Sequence, residues 1–476
     1  MVWKLIRRFT PLATSMLLLG AQIPLATAQS GGDEILPDTL FVANGSEILA
    51  FDIESGAARE GAIPNVPNPR DGNVLANGHI IFNVNGNDEV LVFDARSMQE
   101  VARFPSSNST GTRPVHAYLT PLLNGQQYWI ALNDGTHDGG VEENTALFVD
   151  AVPTSPTYLQ PVAEVSLGKG HHKASFSTTQ ERVVISNIDD CDDVLSVYDY
   201  SDINNIRRVG TLSATALGLD GSTPEKTCDP TGENGVRLAP HGCGTAPLSG
   251  RAYCNLTGVG QIVAIDLDPD RLSFDVITTQ GSGAGSTIPS ADGRYIYSVQ
   301  RTPREGLDGA TCQIGQLAVI DTTEDVLISE VPLRYEGADC DRSLAGTDEE
   351  IASPSHPMIT PDGETLYITV STSSREPDSR SRQLLVLNVS DPSTPQQQDS
   401  IEVGAAQGYR AQAMTGDGQY LFIANNIDGT ISQVDTTTNT VVRTIRISDP
   451  ATEGVAMRLF AFGTESGVSI GSSPLP

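Results

Sequence analysis

The feature that most constrains this chain is a self-similar pattern of short strands that returns about every 45–60 residues. The three clearest copies cover residues 287–321, 355–388 and 410–435. Each shows a short first strand, an Asp-Gly turn and an aromatic-rich second strand. An apolar third strand that ends in Asp or Asn follows, and then a more polar fourth strand. Helical periodicity is almost absent, so the pattern predicts repeated antiparallel sheets.

The number of copies predicts how the sheets are arranged. Weaker copies begin near Asn73, Val115, His171 and Pro240, which makes seven complete copies. The segment LFVANGSEILAFDIESG supplies only the second to fourth strands of another copy, and GVAMRLFAFG near the C-terminus supplies its missing first strand. Radial closure protects the edges of such sheets. We therefore predict an all-β β-propeller, with eight blades favoured over seven, closed by N- and C-terminal strands.

Residues 1–28 have the pattern of a signal peptide. Lys4, Arg7 and Arg8 form a basic start, an apolar run is centred on residues 16–19, and an Ala-Thr-Ala site ends at Ala28. Cleavage there leaves residues 29–476, which we expect to form a single propeller domain. The sequence thus predicts a periplasmic or secreted protein with no membrane insertion.

Charge and cysteine content narrow the function classes. The chain has 29 basic and 59 acidic residues, a net charge of −30. This charge disfavours nucleic-acid partners and attracts cations, although solubility is its simplest explanation. Six cysteines behind an export signal predict three disulfides rather than a thiolate metal cluster. Cys243 and Cys254 flank a predicted hairpin turn and are placed to bridge its strands, whereas the pairing of the other four stays open.

The histidines are the most informative residues for function. Of seven in the chain, five fall at nearly the same repeat position, the start of the innermost strand of a blade, and these are His116, His171, His172, His241 and His356. Thr287 and Arg410 hold the equivalent place in two other blades. Scattered core or surface histidines have no reason to share a repeat position. The pattern therefore predicts a ring of imidazoles at one end of the central channel.

Imidazole is a common ligand for zinc and copper. With no C-x-x-C motif and few methionines, zinc is favoured over copper, and the five histidines are the predicted ligands, with the choice between His171 and His172 open. The alternatives are a water-filled polar channel, or a ring that binds an anionic substrate with the help of Arg410. His137 and the acidic run at residues 189–193 are weaker cation candidates.

Several enzyme classes lack support. The chain has no Gly-rich loop that opens a helix and no G-x-S-x-G motif, so nucleotide binding and a hydrolytic triad are not predicted. No carboxylate in register with the histidines suggests itself as a general base. The sequence therefore leans away from an enzyme.

Two resemblances add to this interpretation. The pattern x-P-D-G-x-x-x-Y-I/V, at residues 359–370 and 413–438, resembles YVTN-type propeller repeats, which occur in lactonases, dehydrogenase subunits and metal-binding proteins. An export signal, a propeller, channel-end histidines, and His241 followed by Cys243 and Cys254 together resemble the periplasmic zinc metallochaperones of the Azt type. That resemblance implies delivery of zinc to the solute-binding protein of an ABC importer.

One segment departs from the Azt-type pattern. Residues 29–38, where that family carries histidines, have none here. The alternative functions are a lactonase-like hydrolase, a metal-dependent oxidoreductase that uses the same histidines, and an interaction protein whose propeller only presents loops.

Overall fold

The computed structural model describes residues 39–135, 143–256, 258–268, 272–305, 311–336, 352–371, 382–406, 411–447, 458–462 and 468–470. Side chains are described in these ranges except at residues 171–172, 241, 282–286, 301–305, 311–313, 458–462 and 468–470. The predicted signal peptide, His137, Cys340 and Arg410 lie outside the described residues. Residues 35–476 belong to one compact unit.

The described strands form eight antiparallel sheets, as predicted. From the first strand of each repeat outward, blades 1 to 4 are Arg458–Phe462, Thr39–Ala43, Glu47–Asp52, Ile63–Pro64; Pro69–Val74, His79–Val84, Glu89–Asp94, Gln99–Pro105; Pro114–Leu119, Tyr128–Asp134, Asn144–Asp150, Pro161–Ser166; and His171–Phe176, Arg182–Asn187, Leu195–Asp199, Arg207–Leu212. Blades 5 to 8 are Pro240–Ala246, Arg251–Leu256, Gln261–Asp266, Ser273–Thr278; Ser282–Pro289, Tyr295–Glu305, Thr311–Asp321, Val326–Pro332; Ser353–Ile359, Thr365–Ser371, Gln383–Asn388, Gln396–Glu402; and Gln412–Met414, Tyr420–Asn425, Thr430–Asp435, Thr440–Arg446.

The ring closes as the sequence predicted. The C-terminal strand Arg458–Phe462 pairs antiparallel with Thr39–Ala43, with Phe460 opposite Phe41. A short further strand, Val468–Ile470, pairs on the inner side of Arg458–Phe462 and gives blade 1 a fifth strand that the sequence did not predict. From blade 1 to blade 7, and between blades 8 and 1, the first strands of neighbouring blades contact one another, which places them around the central axis.

The Asp-Gly turns explain why the repeat folds into hairpins. In blade 7, Gly363 adopts a left-handed φ of 75°, a conformation that glycine reaches without steric cost. The Thr360 hydroxyl and the Glu364 N–H donate hydrogen bonds to the Asp362 carboxylate. These bonds, that from Thr360 most, hold the pKa of Asp362 below its usual value. The Asp-Gly motif therefore stabilises the hairpin turn.

The core lies between the blades, where the apolar faces of neighbouring sheets pack. Phe41 of blade 1 meets Phe93 of blade 2 edge to face, with ring centroids 5.7 Å apart. The buried Trp129 of blade 3 donates its indole N–H to the Asn73 side chain of blade 2 at 3.0 Å. In the part of the chain that the structure describes, the single-turn 3-10 helices Asn85–Asn87, Thr215–Leu217 and Pro224–Lys226 lie in loops. No helix in the described part of the chain is long and apolar enough to cross a membrane.

Candidate functional site

The inner strands share an irregularity at their start. In blades 2 to 7 the pairing of the first with the second strand shifts register there, as in a β-bulge. In four of these blades a proline opens the irregular step, namely Pro69, Pro114, Pro240 and Pro354. Proline has no N–H to donate to the ladder, so it is confined to such places. All five histidines of the predicted ring lie at these bulges.

Strand pairing aligns the blades residue by residue. In every blade the fourth residue of the second strand pairs with a residue of the first strand, and we call the residue just before that partner the ring position. From blade 1 to blade 8 the ring position holds Arg458, Asp71, His116, Lys173, Gly242, Ser286, His356 and Ala411. His116 and His356 therefore share one position.

The other histidines come slightly earlier on their strands. His172 and His241 both stand one residue before the ring position, and His171 stands two residues before it, level with Pro114 and Pro240. His172 is therefore the residue that aligns with His241. The candidate positions are not evenly spread: blades 3, 4 and 5 are neighbours, whereas His356 lies on blade 7, four blades from blade 3 in the closed ring.

His116 has a buried carboxylate partner. Its Nδ1 lies 2.7 Å from Oδ2 of Asp71, and the two residues are 5% and 2% exposed. The Asn83 side-chain amide of blade 2 also donates to the His116 carbonyl oxygen at 2.9 Å. The ring is therefore not free of carboxylates, and the expectation that none stands in register with the histidines is wrong. Asp71 stands two residues after Pro69, as His116 stands two residues after Pro114. Alignment of these prolines in the sequence therefore places Asp71 and His116 at the same repeat position.

Further ionisable residues lie on the same side of the ring. Lys173 follows His116 around the ring and is 2% exposed, and its backbone N–H donates to the Ser186 hydroxyl at 3.0 Å. At the end of the second strand of blade 3, burial raises the pKa of Asp134 to about 7. Asp189 adds to this rise in pKa, while the positive charges of Arg113 and Arg70 oppose it.

His356 makes hydrogen bonds with hydroxyl and amide side chains. The Ser355 hydroxyl lies 2.6 Å from its Nδ1, and its backbone N–H donates to the Thr369 hydroxyl at 3.3 Å. The Gln412 side-chain amide of blade 8 donates to the carbonyl oxygens of His356 and Pro357 at 3.3 and 3.1 Å. Hydroxyl and amide groups therefore contact this histidine, at its Nδ1, its backbone N–H and its carbonyl oxygen.

The contacts of the acidic run at residues 189–193 do not strengthen its prediction as a cation site. Within the acidic run, Asp190 accepts the backbone N–H groups of Asp192 and Asp193, and Asp193 pairs with Arg208. The Asp190 and Asp193 carboxylates therefore stabilise their own turn through these hydrogen bonds and this ion pair. Among the described side chains, no group of three or more His, Cys, Asp or Glu residues is arranged to hold a metal ion, and the side chains of His171, His172 and His241 fall outside that set.

His79 lies outside the ring, at the first residue of its second strand. Its Nδ1 and the Tyr158 hydroxyl form a hydrogen bond of 3.0 Å, and its Nε2 lies 3.9 Å from the Asp94 carboxylate. Burial lowers the pKa of His79, against the opposing effect of Asp94. Because these contacts lie away from the ring position, His79 is a matched control for the ring histidines.

The described residues contain two disulfides. Cys243 and Cys254 are directly opposite on the first hairpin of blade 5 and are bonded, as predicted. Cys191 and Cys228 form a second bond, which the sequence left open. The described residues contain no free cysteine. Cys340 and the side chain of Cys312 are not described, so a third disulfide between them stays a prediction.

Comparisons with known proteins support the fold. No protein-family model matches the chain, and no curated protein matches it in sequence. Among solved structures, apo AztD from Citrobacter koseri has a TM-score of 0.54 at 13% identity and covers 92% of this chain and 100% of that chain. The periplasmic gluconolactonase PpgL from Pseudomonas aeruginosa has a TM-score of 0.52 at 14% identity, over 89% of this chain and 98% of that chain. At such identities the likeness shows the β-propeller fold alone.

Proposed function

We propose that this protein is a periplasmic metal carrier that binds zinc through His116, His172 and His241. The observation that carries the proposal is the placement of these residues at bulges on the inner strands of three neighbouring blades. A bulge places an extra residue on the strand and re-aims its side chains. Three imidazoles from adjacent strands supply the nitrogen ligands that zinc prefers.

Asp71 supports this role for His116. A histidine that binds a metal through one ring nitrogen usually donates its other N–H to a carboxylate or carbonyl oxygen. In this structure Nδ1 of His116 lies 2.7 Å from the Asp71 carboxylate, which leaves Nε2 as the ligand atom. Asp71 also contributes a negative charge, which offsets part of the repulsion between a zinc ion and the buried Lys173 at the next ring position.

His356 is left out of the proposed ligand group. It lies on blade 7 and is held by Ser355, Thr369 and Gln412, none of which carries a charge. In this proposal it is a structural residue of the opposite side of the channel. Its removal therefore tests whether the site involves one side of the ring or spans the channel.

The first experiment measures zinc binding directly. Apo-protein prepared with a chelator is titrated with zinc against a competing fluorescent indicator, and bound metal is measured by elemental analysis. We expect about one zinc per chain, with affinity that falls as pH drops through the imidazole range because the ligands must be neutral. The variant H116A/H172A/H241A should lose the site, and the matched control H79A should keep it. Equal binding by both variants would contradict the assignment.

The carrier role needs a second experiment. A carrier passes its ion to a partner, which we propose is the solute-binding protein of an ABC zinc importer, and the fold shared with AztD supports this choice. Zinc-loaded protein is mixed either with an apo solute-binding protein or with a chelator of equal affinity. Transfer to the partner should be the faster of the two. Equal rates would mean free dissociation and would remove the carrier role while leaving the metal site.

A hydrolase is the second candidate, and Asp71 is the observation that favours it. A buried carboxylate beside His116 orients the imidazole as a general base, and Lys173 on the next blade carries a charge able to stabilise a developing oxyanion. Such a site would activate water for attack on a lactone carbonyl. Lactone turnover by metal-free protein, abolished by H116A and by K173M, would favour the hydrolase over the carrier.

A further inference from the structure

A disulfide connects the two segments that lead to His172 and His241. The connection between blades 4 and 5, residues 213–239, is unusually long for a compact domain, and long connections with ordered structure are commonly functional. It contains the 3-10 turns Thr215–Leu217 and Pro224–Lys226 and runs directly into Pro240 and His241. Cys228, in this loop, is bonded to Cys191, in the turn after the second strand of blade 4.

The Cys191 end of this crosslink touches the start of the His171–Phe176 strand. The Ile188 backbone N–H donates to the Gly170 carbonyl oxygen at 2.8 Å. Asp189 packs so closely on Gly170 that a Cβ there would lie 2.6 Å from the Asp189 carboxylate oxygen, and Gly170 has a left-handed φ of 65°. Only glycine fits this contact without strain. The turn that carries Cys191 therefore sets the path of the backbone just before His171 and His172.

The Cys228 end is connected to His241 in the same way. Cys228 forms a parallel bridge with Val236, where the Val236 N–H donates to the Thr227 carbonyl oxygen at 2.7 Å. The Gly258 N–H then donates to the Leu238 carbonyl oxygen at 3.2 Å, two residues before Pro240. Cys191, Cys228, Val236 and Leu238 all pack in one apolar cluster between blades 4 and 5. These contacts connect Cys228 to the segment that leads into Pro240 and His241.

We infer that the Cys191–Cys228 disulfide is a positioning crosslink for the metal site, which fixes His172 and His241 relative to each other. The inference rests on the proposed zinc-binding function. Opening the disulfide frees the long loop from the turn of blade 4, while the strands that carry the two histidines remain paired within their blades. Zinc affinity should then fall, because the ligands are no longer held at the spacing that one metal ion requires.

The crosslink is also the more accessible of the two described disulfides. Cys191 and Cys228 are partly exposed, whereas Cys243 and Cys254 are 3% and 0% exposed. A small dithiol reductant should therefore open Cys191–Cys228 first. One thiolate of the reductant attacks one protein sulfur, forms a mixed disulfide with it and releases the other protein sulfur as a thiolate. The second thiol of the reductant then attacks the mixed disulfide and displaces the first protein sulfur. The protein gains two thiols, and the reductant leaves as a cyclic disulfide.

A double-mutant cycle tests the inference. Zinc affinity is measured for wild-type protein, C191S/C228S, H241A, and C191S/C228S/H241A. We expect C191S/C228S to bind zinc about tenfold or more weakly, as when a group that orients a ligand is lost. H241A should cost clearly less affinity in the crosslink-free background than in the wild type, because the crosslink acts through the placement of His241.

The outcomes separate the crosslink from the site itself. Additive losses in the cycle, or unchanged affinity in C191S/C228S, would overturn the crosslink inference while the zinc site stands. A wild-type protein that binds no zinc would overturn the proposed function. If C191S/C228S does not fold, wild-type protein reduced at this disulfide alone, verified by mass after alkylation, takes its place in the comparison with reduced H241A.

Discussion

The two sides of the channel use the same backbone position for different chemistry. At the ring position, blades 2, 3 and 4 carry Asp71, His116 and Lys173, all buried and all ionisable. Across the ring, blades 7 and 8 carry His356 and Ala411 at that position. The repeated fold therefore fixes the backbone position of each ring residue, and the residues of the neighbouring blade determine the chemical environment of its side chain.

His116 and His356 show this difference most directly. Each is held at a bulge, and each has its carbonyl oxygen bound by a side-chain amide from a neighbouring blade, Asn83 for His116 and Gln412 for His356. Their Nδ1 partners differ: Asp71 is a carboxylate and Ser355 is a hydroxyl. Backbone support is thus equivalent at His116 and His356, and the Asp71 carboxylate gives His116 the arrangement expected of a metal ligand.

The largest expected effect comes from exchanging the two histidines for alanine. H116A should weaken zinc binding by more than the roughly 10–100-fold that loss of an outer-shell partner costs, because it removes a ligand itself. H356A should change the affinity by less than about threefold, since its neighbours are not part of the proposed site. Competitive titration with zinc measures both. Similar losses in the two variants would show that the site spans the channel.

The next effect concerns the two Nδ1 partners. D71N should lower zinc affinity by about 10–100-fold, because the amide no longer favours the tautomer that leaves Nε2 of His116 available to the metal. S355A, its counterpart beside His356, should leave affinity unchanged. The same titration measures both variants. A D71N protein that binds zinc as tightly as the wild type would remove Asp71 from the site.

A third prediction uses the dependence of stability on pH. Burial raises the pKa of Asp134 to about 7, above its unfolded value, so the carboxyl favours the folded state when protonated. That contribution is present at low pH and is lost as pH rises through about 7. The wild type should lose about 2 kcal/mol of unfolding free energy from this group between pH 5.5 and pH 8.

The matched variants for this test are D134N and D362N. D134N removes the titrating group, so the fall in stability between pH 5.5 and pH 8 should be smaller than in the wild type. Asp362 has a lowered pKa and stays ionised throughout this range, so D362N should change stability without changing its slope with pH. Urea unfolding at several pH values measures the slope. An unchanged slope in D134N would show that Asp134 does not titrate near neutral pH.

The smallest effects concern the amides that hold the two bulges. N83A should cost about 1 kcal/mol of stability because it removes one buried hydrogen bond to a carbonyl oxygen, and Q412A should cost at least about 1 kcal/mol because it removes two. Only N83A should also weaken zinc binding, by a few-fold, since only His116 is a proposed ligand. Thermal unfolding and zinc titration on the same samples separate the two outcomes.

The fold was predictable because its signals are local. Alternating apolar residues, Asp-Gly turns and terminal Asp residues recur in each copy, and the closing strand at residues 458–462 was recognisable as the missing part of blade 1. The place of the histidines followed from the same repeat. The extra strand Val468–Ile470 was not predicted, because a three-residue strand has too little pattern of its own.

The details of the site depended on information that the sequence does not hold. A bulge shifts the alignment by one residue, so only strand pairing shows that His172, not His171, is level with His241. Asp71 was not predicted, because the predicted ring was defined by histidines. Pro69, two residues before Asp71, was the sequence signal that marked the same repeat position. The Cys191–Cys228 bond could not be deduced, since four unpaired cysteines allow three connectivities.

X-ray absorption at the zinc edge of zinc-loaded protein measures whether three imidazoles from neighbouring blades bind one metal ion. We expect about three imidazole nitrogens at about 2.0–2.1 Å and no sulfur ligand, with one imidazole lost in H241A and none lost in H356A. Zinc surrounded by carboxylate and water oxygens, with no imidazole scattering, would rule out the proposed site.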